Sequence, residues 1–447
     1  MGLTNLHRAS AAEAAQLIRD GIVTSEQLVS ACLEHIGRRE PGVQAWQFLD
    51  PDHAMQQAKA ADDFRLSGHP IGPLHGVPVG LKDIIDTGDM PTENGSPIHA
   101  GRTPSRDAAV VSMLRAAGAV IMGKTVTTEF ATRTPGKTRN PHNPAHTPGG
   151  SSSGSAAAVA AEMVPLALGS QTTGSTIRPG AYCGVYAMKP TFGLIPRTGM
   201  FQLSRSLDHV GLFARSIEDI ALLLEQLVGF DERDPDTRPR ARAPYREIAA
   251  SEPPLPPMFA FIKGPRWSHV EAETKDAFAE LAQRLGAQME DVELVSATDE
   301  VLDWHETVSG PEVAYNLRRE WETRRDGLSK ALQGRIERGL AVSAKEYVAA
   351  QARVPQLVAS FTELFEQRYD AIVTPAAFGT APAGLASTGD PACCAMWTLC
   401  GMPALSVPLM QGANGLPLGV QLVGPRHGDG RLLRTARWLV SHLMREA

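Results

Sequence analysis

The sequence predicts an α/β protein that contains parallel β-strands. An apolar run at Gly76–Leu81 is typical of a buried strand, and residues 107–117 have the pattern of a helix that ends at Gly118. A second apolar run, Ala119–Met122, follows directly. A strand, a helix and a second strand in this order form the crossover unit that joins parallel strands. The 447 residues, 43% of them hydrophobic and 21% charged, are sufficient for a large buried core.

The chain opens with two helices and then enters a long loop. Ser10 and Thr24 each precede a Glu or Gln by three residues, at Glu13 and Gln27, which is the spacing of a capping box at a helix start. Residues 133–155 are rich in Pro, Gly, Asn, Ser and Thr, a composition that predicts a loop. Long loops inside compact α/β proteins are usually functional or disordered, so this loop is a place to look for functional residues.

The second half of the chain alternates between strands and helices after an irregular connection. Between about 231 and 257 the sequence is rich in Pro and Arg and loses its periodicity, which indicates an exposed connection. The elements predicted beyond it are a strand at Met258–Ile262, a helix at about 270–285, a strand at Met289–Leu294, long helices within about 310–368 and a strand at Ala371–Thr374.

Charge and cysteine content argue against several classes of protein. The net charge of −6 gives no electrostatic reason to expect nucleic acid or an anionic membrane as a partner. Five cysteines without regular spacing argue against a disulfide framework and suit a reducing compartment. The N-terminus shows no basic region followed by an apolar core, and no apolar run is long enough to span a bilayer. We therefore expect a cytoplasmic protein that does not bind membranes.

Several common catalytic motifs are missing. No serine lies three residues before a lysine, and the H-E-x-x-H, Walker A and G-x-G-x-x-G patterns do not occur. The thirteen histidines lack the spacing of metal ligands, so we expect no metal. Gly150–Gly154 fits the G-x-S-x-G nucleophile elbow of α/β-hydrolases, with Ser152 as the nucleophile. That elbow needs a central strand directly before the serine, and the preceding Pro-rich stretch cannot form one, so the elbow is the weaker alternative.

Three segments could combine into a site for nucleophilic catalysis. Lys82 lies at the end of the apolar strand Gly76–Leu81, a serine-rich loop covers 149–155, and a second polar loop covers 169–176. Serine is a poor nucleophile unless another group takes its proton. A lysine buried away from water can be neutral near pH 7 and can act as this base. From the residues alone, a structural lysine beside two phosphate-binding loops is an equal alternative.

Together the three segments resemble the amidase signature family. Gly149–Ser155 is similar to the family's G-G-S-S-G-G-S block, with Ser153 in place of a glycine, and Gly169–Arg178 resembles its G-S-D-T-G-G-S-I-R block. Gly76–Asp83 resembles the lysine strand G-V-P-x-x-x-K-D. The resemblance covers nearly the whole chain and is weakest between about 230 and 365.

The resemblance implies a fold as well as a site. The fold would be α/β, with one amidase signature domain over 1–447 and a large mixed, mostly parallel sheet covered by helices on both faces. The domain would consist of a core at 65–225, a connection at about 231–257 and a variable helical part at about 300–368. The chemistry of the family requires no cofactor. The oligomeric state stays open, and a homodimer is one arrangement compatible with the sequence.

The family's catalytic roles fall on particular residues of this sequence. Ser175 would be the nucleophile, Ser151 the bridging serine that follows a cis peptide bond in the family, and Lys82 the base. Ser152 matches a neighbouring serine that often contacts the lysine. The oxyanion hole would be formed by the backbone N–H groups of Thr172, Thr173, Gly174 and Ser175.

Three positions depart from the family pattern. The usual Asp is Gln171, one glycine is Thr173, and the arginine follows the serine by three residues, at Arg178. The Asp–Arg pairing that often braces this loop is therefore not expected in its usual form, and Thr173 argues against a positive φ at its position. A Gln-and-Ile-Arg version resembles a known branch of the family, so Gln171 and Arg178 would still support the site.

The implied reaction is hydrolysis of an amide C–N bond through an acyl-enzyme. The related alternative is a glutamyl-tRNA amidotransferase A-type subunit that acts with partner subunits, which we rank lower because the match weakens between 230 and 365. A binding protein that only retains the fold is the third hypothesis, and the joint presence of Lys82, Ser151 and Ser175 argues against it.

The substrate is the least determined part of the prediction. Apolar residues in loops typical of substrate pockets favour a small uncharged and partly aromatic amide, such as an anilide, or a carbamate (urethane). The pocket residues that we predict are Glu129, Phe130, Phe201 and Trp397.

Overall fold

The computed structural model describes residues 3–293 and 299–445. Eleven strands of these residues form one sheet, and strands from both sides of the connection at 231–257 take part in it. In chain order the strands are β1 Trp46–Leu49, β2 Pro78–Lys82, β3 Val120–Thr125, β4 Leu166–Gln171, β5 Tyr186–Lys189, β6 His209–Ala214, β7 Phe259–Phe261, β8 Met289–Asp291, β9 Ala371–Pro375, β10 Ala404–Gln411 and β11 Pro417–Val423.

The sheet is mixed, with the spatial order β1-β3-β2-β4-β6-β5-β10-β11-β9-β7-β8. Strand β2 is parallel to β3 and β4, and β7 is parallel to β8 and β9. The other six neighbouring pairs are antiparallel. The predicted large mixed sheet is confirmed, but its expected mostly parallel character is wrong. Antiparallel neighbours need no crossover helix, so the strand–helix–strand pattern of the sequence indicated only the parallel part.

The centre of the sheet brings two polar loops to one edge. Strands β2 and β4 lie side by side and parallel, with Leu81 opposite Leu168. Lys82 ends β2 and Gln171 ends β4, so the loops that follow both strands start at the carboxyl edge of this pair. In open α/β sheets this edge is where ligands usually bind.

Helices cover both faces of the sheet. Strands β3, β4 and β6 are buried at every position, and successive side chains of a strand point to opposite faces. The helices in the described residues are α1 Ala11–Arg19, α2 Ser25–Val43, α3 Pro51–Leu66, α4 Ala109–Ala116, α5 Ser153–Ala160, α6 Ile177–Cys183, α7 Ile217–Leu227, α8 Tyr245–Ala250, α9 Ala272–Leu285, α10 Glu300–Asn316, α11 Arg318–Arg324, α12 Lys330–Ala341, α13 Ala344–Gln367, α14 Ala392–Leu399 and α15 Asp429–Arg445.

The predicted helix starts near the N-terminus are present. The Ser10 hydroxyl accepts a hydrogen bond from the Glu13 amide at 3.1 Å, and Thr24 and Gln27 form a reciprocal capping box. The predicted long loop ends where α5 begins, at Ser153. These features depend on neighbours within one helical turn, which is why the sequence indicates them.

Beyond the connection the predicted elements are present with shifted ends. The predicted strand Met258–Ile262 is β7. The predicted strand Met289–Leu294 is β8, which ends at Asp291, while Leu294 lies outside the described residues. Helices α10 to α13 account for the helices predicted within 310–368. Among the described helices, none is long and apolar enough to cross a membrane.

Candidate active site

Lys82 is buried among hydroxyl groups at the end of β2. Its side chain is not exposed at all. Nζ donates hydrogen bonds to Ser151 Oγ at 2.6 Å and to Ser170 Oγ at 2.8 Å. Burial lowers the pKa of Lys82 well below its usual value, and the carboxylate of Asp208 opposes this shift. The side chain is therefore placed to act as a neutral amine that can accept a proton.

Asp83, the next residue, has a different cationic partner. Its Oδ1 accepts a hydrogen bond from Lys124 Nζ at 3.2 Å, and its Oδ2 accepts one from the Glu93 amide at 3.1 Å. Asp83 and Lys124 are both buried, and burial raises the pKa of Asp83 and lowers the pKa of Lys124. Consecutive side chains of an extended segment point to opposite faces, so the Asp83 carboxylate turns away from Lys82 and pairs with Lys124. The hydrogen bonds of Lys82 Nζ go to serine hydroxyls instead.

The serine-rich loop places Ser151 in hydrogen-bond contact with Lys82. The peptide bond between Gly150 and Ser151 is cis, as the resemblance implied. Gly149 has a φ of +82°, and a Cβ atom there would lie 2.9 Å from the Cα atom of Pro179. This position therefore requires glycine both for its backbone angle and for its close contact with α6.

Ser152 contacts the backbone of β4 and not Lys82. Its hydroxyl donates to the Ser170 carbonyl at 3.1 Å and accepts from the Ser170 amide at 3.2 Å. The contact expected between Ser152 and Lys82 is made by Ser170, a residue that the sequence analysis did not single out because it is one of many serines in polar loops. Ser152 is fully buried and follows a loop, so the structure does not support the elbow alternative.

Ser175 lies in the turn between β4 and α6, at the wall of a cavity. The residue is 9% exposed, and its carbonyl accepts a hydrogen bond from the Ser152 amide at 3.3 Å. This bond links the two serine loops. The backbone of Thr173 does not have a positive φ, in agreement with the presence of a threonine there. The amides of 172–175 share this turn with the Ser175 hydroxyl, as an oxyanion hole would require.

Gln171 fixes the turn with hydrogen bonds in both directions. Its Oε1 accepts from the amides of Thr176 and Ile177 at 2.8 and 3.0 Å. Its Nε2 donates to Thr398 Oγ1 at 3.0 Å, and Thr398 Oγ1 in turn donates to the Thr173 carbonyl at 2.7 Å. The carboxylate usual in the family could accept the first two bonds but could not donate the third. Thr398 comes from α14, far away in sequence, so no local pattern could have indicated it.

Two buried side chains hold Thr172 at the start of the turn. Thr172 Oγ1 donates to Asp208 Oδ1 at 2.6 Å, and the ring of His305 donates from Nε2 to the Thr172 carbonyl at 2.9 Å. Burial raises the pKa of Asp208 to about 6 and lowers the pKa of His305. His305 belongs to α10, within the region where the family resemblance is weakest, and the sequence analysis did not identify it.

Arg178 braces the serine loop and the loop before α14. Its Nη2 donates to the Gly150 carbonyl at 2.7 Å and to Thr388 Oγ1 at 3.2 Å, and its Nε donates to the Thr388 carbonyl at 2.8 Å. It makes no hydrogen bond to Gln171 in the described part of the chain, as the departure from the Asp–Arg pairing implied. Gln171 and Arg178 therefore support different parts of the site.

Ser175 opens onto a cavity of about 650 Å³. The wall is formed by residues 131–135, the turn 172–175, helices α10 and α12, and the loop 386–392. The charged residues in the wall are Arg133, Arg178, Arg266, Arg335, Asp303, Glu306 and Asp390. Such a wall favours a ligand with polar or charged groups.

The four pocket residues predicted from sequence do not line this cavity. Phe130 and Trp397 are buried in two hydrophobic clusters, Phe201 packs against Phe130, and Glu129 accepts a hydrogen bond from the Ser329 amide. The prediction of an apolar pocket is therefore corrected. The loop before α14 and Ala395 of α14 do contribute to the cavity, but Trp397 of the same helix is buried in the core. Such side-chain directions depend on tertiary packing.

One group of potential metal ligands occurs in the described residues, and it lies outside the cavity. It consists of His7, His35 and Glu162. The two imidazole rings are stacked, with 4.0 Å between their centroids and 15° between their planes. A metal ion lies close to the plane of each imidazole that binds it, and stacked rings cannot share such an ion. We therefore assign no metal to this group.

The Amidase family model matches residues 27–433 of this chain. The A subunit of a glutamyl-tRNA(Gln) amidotransferase from Chloroflexus aurantiacus is 35% identical over 472 aligned residues, which cover 97% of this chain and 96% of the relative. A peptide amidase from Stenotrophomonas maltophilia has a TM-score of 0.84 and 29% identity, with coverage of 98% and 97%. A protein from a vestigial complex tied to the origins of an s-triazine catabolic enzyme has a TM-score of 0.90 and 26% identity, with coverage of 97% and 98%. With its lysine strand and both serine loops inside the matched region, this chain belongs to the amidase signature family, whose enzymes act on amide C–N bonds.

Proposed function

We propose that this chain hydrolyses an amide or carbamate C–N bond through an acyl-enzyme on Ser175. The observation that carries the proposal is the environment of Lys82, a fully buried amine whose hydrogen bonds go to the hydroxyls of Ser151 and Ser170. Burial lowers its pKa well below the usual lysine value, so a larger fraction of the amine is neutral and able to take up a proton. Ser151 accepts a hydrogen bond from this base, and the amide of the next residue, Ser152, donates to the Ser175 carbonyl, which supports a role of Ser151 as a proton relay.

The reaction proceeds in two acyl-transfer steps. Ser175 Oγ forms a bond to the substrate carbonyl carbon while its proton passes to Ser151 and the Ser151 proton passes to Lys82 Nζ. The resulting oxyanion faces the backbone amides of 172–175. When the C–N bond breaks, the leaving nitrogen takes the proton back from Lys82 through Ser151. Water then attacks the acyl-enzyme by the same relay, which releases the acid and restores the Ser175 hydroxyl.

The charged wall of the cavity narrows the substrate range. The expectation of aryl amides depended on Phe130, Phe201 and Trp397, none of which lines the cavity. A small amide or carbamate with polar substituents fits a wall that carries arginines and carboxylates. We therefore do not propose an aryl acylamidase.

Two settings suit the same chemistry: an amidase that acts alone, and an A-type subunit of an amidotransferase. The second was ranked lower because the family match weakens between 230 and 365. The relatives that are amidotransferase A subunits argue against this ranking, since 97% of this chain aligns with the one from Chloroflexus aurantiacus at 35% identity. The peptide amidase, at 29% identity, supports the first setting. By sequence identity, the amidotransferase setting is the better supported of the two.

One experiment tests the reaction and separates the two settings. The purified chain is incubated with L-glutamine, aliphatic amides, anilides and carbamates, and released ammonia or amine is measured, with Ser175→Ala as the control. Turnover by the chain alone supports an amidase, whereas glutamine turnover that needs added partner subunits of an amidotransferase supports the second setting. The proposal is refuted if neither occurs and an active-site fluorophosphonate also fails to label Ser175.

A further inference from the structure

A second cavity, of about 1000 Å³, is lined by α13, by part of α10, by residues 205–207 and by the end of α14. It shares no lining residue with the cavity of Ser175. Its apolar floor consists of Leu207, Val308 and Leu399, which are all buried, and α13 adds the half-buried Val354 and Val358. A concave space of this size with apolar walls is typical of a site for a small molecule.

Glu312 gives this cavity a carboxylate that has no cationic partner. Its oxygens accept hydrogen bonds from the hydroxyl of Ser204, from the hydroxyl and amide of Ser206 and from the Tyr347 hydroxyl. All of these donors are neutral, and Glu312 makes no ion pair within 4 Å in the described part of the chain. Its hydrogen bonds are therefore satisfied while its charge is not compensated, and a cation in the cavity would supply the missing charge.

The rest of the described wall is also acidic. Arg205 is paired with Asp236 at 3.2 Å, and Arg426 is the other cation of this wall. Glu363 and Glu366 add two exposed carboxylates on α13, and neither makes an ion pair with a described residue. Four carboxylates therefore face two arginines, and this excess of negative charge favours a cationic ligand over an anionic one.

The floor of the second cavity lies beside the side chains that hold the turn of Ser175. Three side chains bind Thr172 or Thr173, and each is next to a floor residue or one helical turn from it: Asp208 to Leu207, Thr398 to Leu399 and His305 to Val308. Glu312 is connected to the same turn. Ser204 donates its hydroxyl to Glu312 and its amide to Asp208 at 2.9 Å, and Asp208 in turn accepts the Thr172 hydroxyl.

We propose that this second cavity binds a small amphipathic amine, with the ammonium at Glu312 and the apolar part on the floor, and that binding changes the reactivity of Ser175. The binding is independent of the proposed hydrolysis, whereas the effect on Ser175 rests on it. The effect follows from the contacts, because a ligand that packs on the floor restrains the neighbours of the groups that hold the turn. Coupling between two sites of one protein is typically about 5- to 150-fold.

Calorimetry on the wild-type chain tests the binding with octylamine, 1-octanol and octanoate, which carry similar apolar chains. Octylamine is protonated at neutral pH, and we expect it to bind at least about tenfold more tightly than 1-octanol, the lower end for a hydrogen bond to a charged group. Octanoate should bind more weakly than 1-octanol. Butylamine should bind more weakly than octylamine, by about fourfold for each buried methylene that it lacks. Equal affinity within either of the pairs that contain octylamine would overturn the proposal.

Variants locate the bound amine. Val358→Lys places a cation in the wall and should weaken octylamine binding at least about tenfold. Val348→Lys, at a valine of the same helix that is 65% exposed and outside the cavity, is the control and should leave the affinity unchanged. Glu312→Gln should lower the preference for octylamine over 1-octanol to near one. Unchanged octylamine affinity in Val358→Lys would place the amine elsewhere and overturn the proposal.

Cross-linking of the wild-type chain covers the case of a variant that folds poorly. An octylamine that carries a diazirine at the end of its chain should label α13, which contributes no residue to the cavity of Ser175. Labelling of residues 131–135 or 386–392 without α13 would overturn the proposal.

The rate of fluorophosphonate labelling tests the effect on Ser175. Saturating octylamine should change this rate by at least about fivefold, and the change should disappear in Val358→Lys and persist in Val348→Lys. An unchanged rate would overturn the effect on Ser175. Absence of any labelling, with octylamine binding intact, would instead refute the proposed function and with it this effect.

Discussion

Replacement of Lys82 by methionine tests the proposed base, because methionine keeps an unbranched apolar side chain and removes the nitrogen. The variant loses the hydrogen bonds of 2.6 and 2.8 Å to Ser151 and Ser170, and with them the proton acceptor of the relay. A positioned general base contributes about 10²- to 10⁴-fold. At about 1.36 kcal/mol for each factor of ten, this corresponds to roughly 3–5 kcal/mol of barrier. We expect kcat/KM to fall by at least about 100-fold in an ammonia-release assay.

The pH profile provides a second measurement of the same group. An unperturbed lysine with a pKa of about 10.4 would be only about 0.04% neutral at pH 7. Burial lowers the pKa of Lys82 well below its usual value, so the acid limb of kcat/KM should reach its plateau well below pH 10. An acid limb that continues to rise through pH 10 would contradict the lowered pKa. Near-normal kcat/KM in Lys82→Met would refute the assignment of the base.

The lowered pKa of Lys82 also makes its contribution to the free energy of unfolding depend on pH. Between the lowered pKa of folded Lys82 and about 10.4, the unfolded chain binds a proton that the folded chain does not, so this group makes the folded state more stable as pH rises. The stability contribution is complete above about pH 10.4 and is lost as pH falls through the folded pKa. Urea denaturation of the wild type and of Lys82→Met should therefore show a gain with pH that only the wild type has. Parallel curves would contradict the shift.

Three further substitutions test the surrounding contacts. Ser151→Ala should lower kcat/KM less than Lys82→Met, since a water can partly replace the bridging hydroxyl; a larger loss than in Lys82→Met would argue against a relay. Gln171→Leu leaves two buried backbone amides without acceptors, and the free energy of unfolding measured with urea should fall by at least about 2 kcal/mol. Fluorophosphonate labelling of Ser175 should also be slower in this variant. Gln171→Glu keeps an acceptor for both amides and should retain more stability. Lys124→Met leaves Asp83 buried without its cationic partner and should lower the free energy of unfolding by about 3–5 kcal/mol at pH 7. An unchanged free energy of unfolding in urea denaturation would show that the pair contributes little to stability.

Much of the fold and the centre of the site could be predicted from the sequence. Capping boxes, the first strand–helix–strand unit and the polar loops depend on residues close together in the chain, and their patterns are visible without any tertiary contact. Three ordered motifs indicated Lys82, Ser151 and Ser175 as candidate site residues. In the structure Lys82 donates a hydrogen bond to Ser151, and the turn of Ser175 is hydrogen-bonded to the serine loop. The antiparallel half of the sheet was missed because pairing between distant strands leaves no local signal.

The residues that line the cavity at Ser175 could be found only from the tertiary structure. The sequence led us to expect Ser152 as the second partner of Lys82, but the observed partner is Ser170. Ser170 lies on β4, and the pairing of β4 with β2 brings it next to the amine. Trp397 belongs to a helix whose other face lines the cavity, and only packing determines which face turns inward. The sequence by itself indicated the candidate catalytic groups, since their chemistry is tied to short motifs. The charges around Ser175 come from residues as distant in sequence as Arg133 and Asp390, and only folding brings them together.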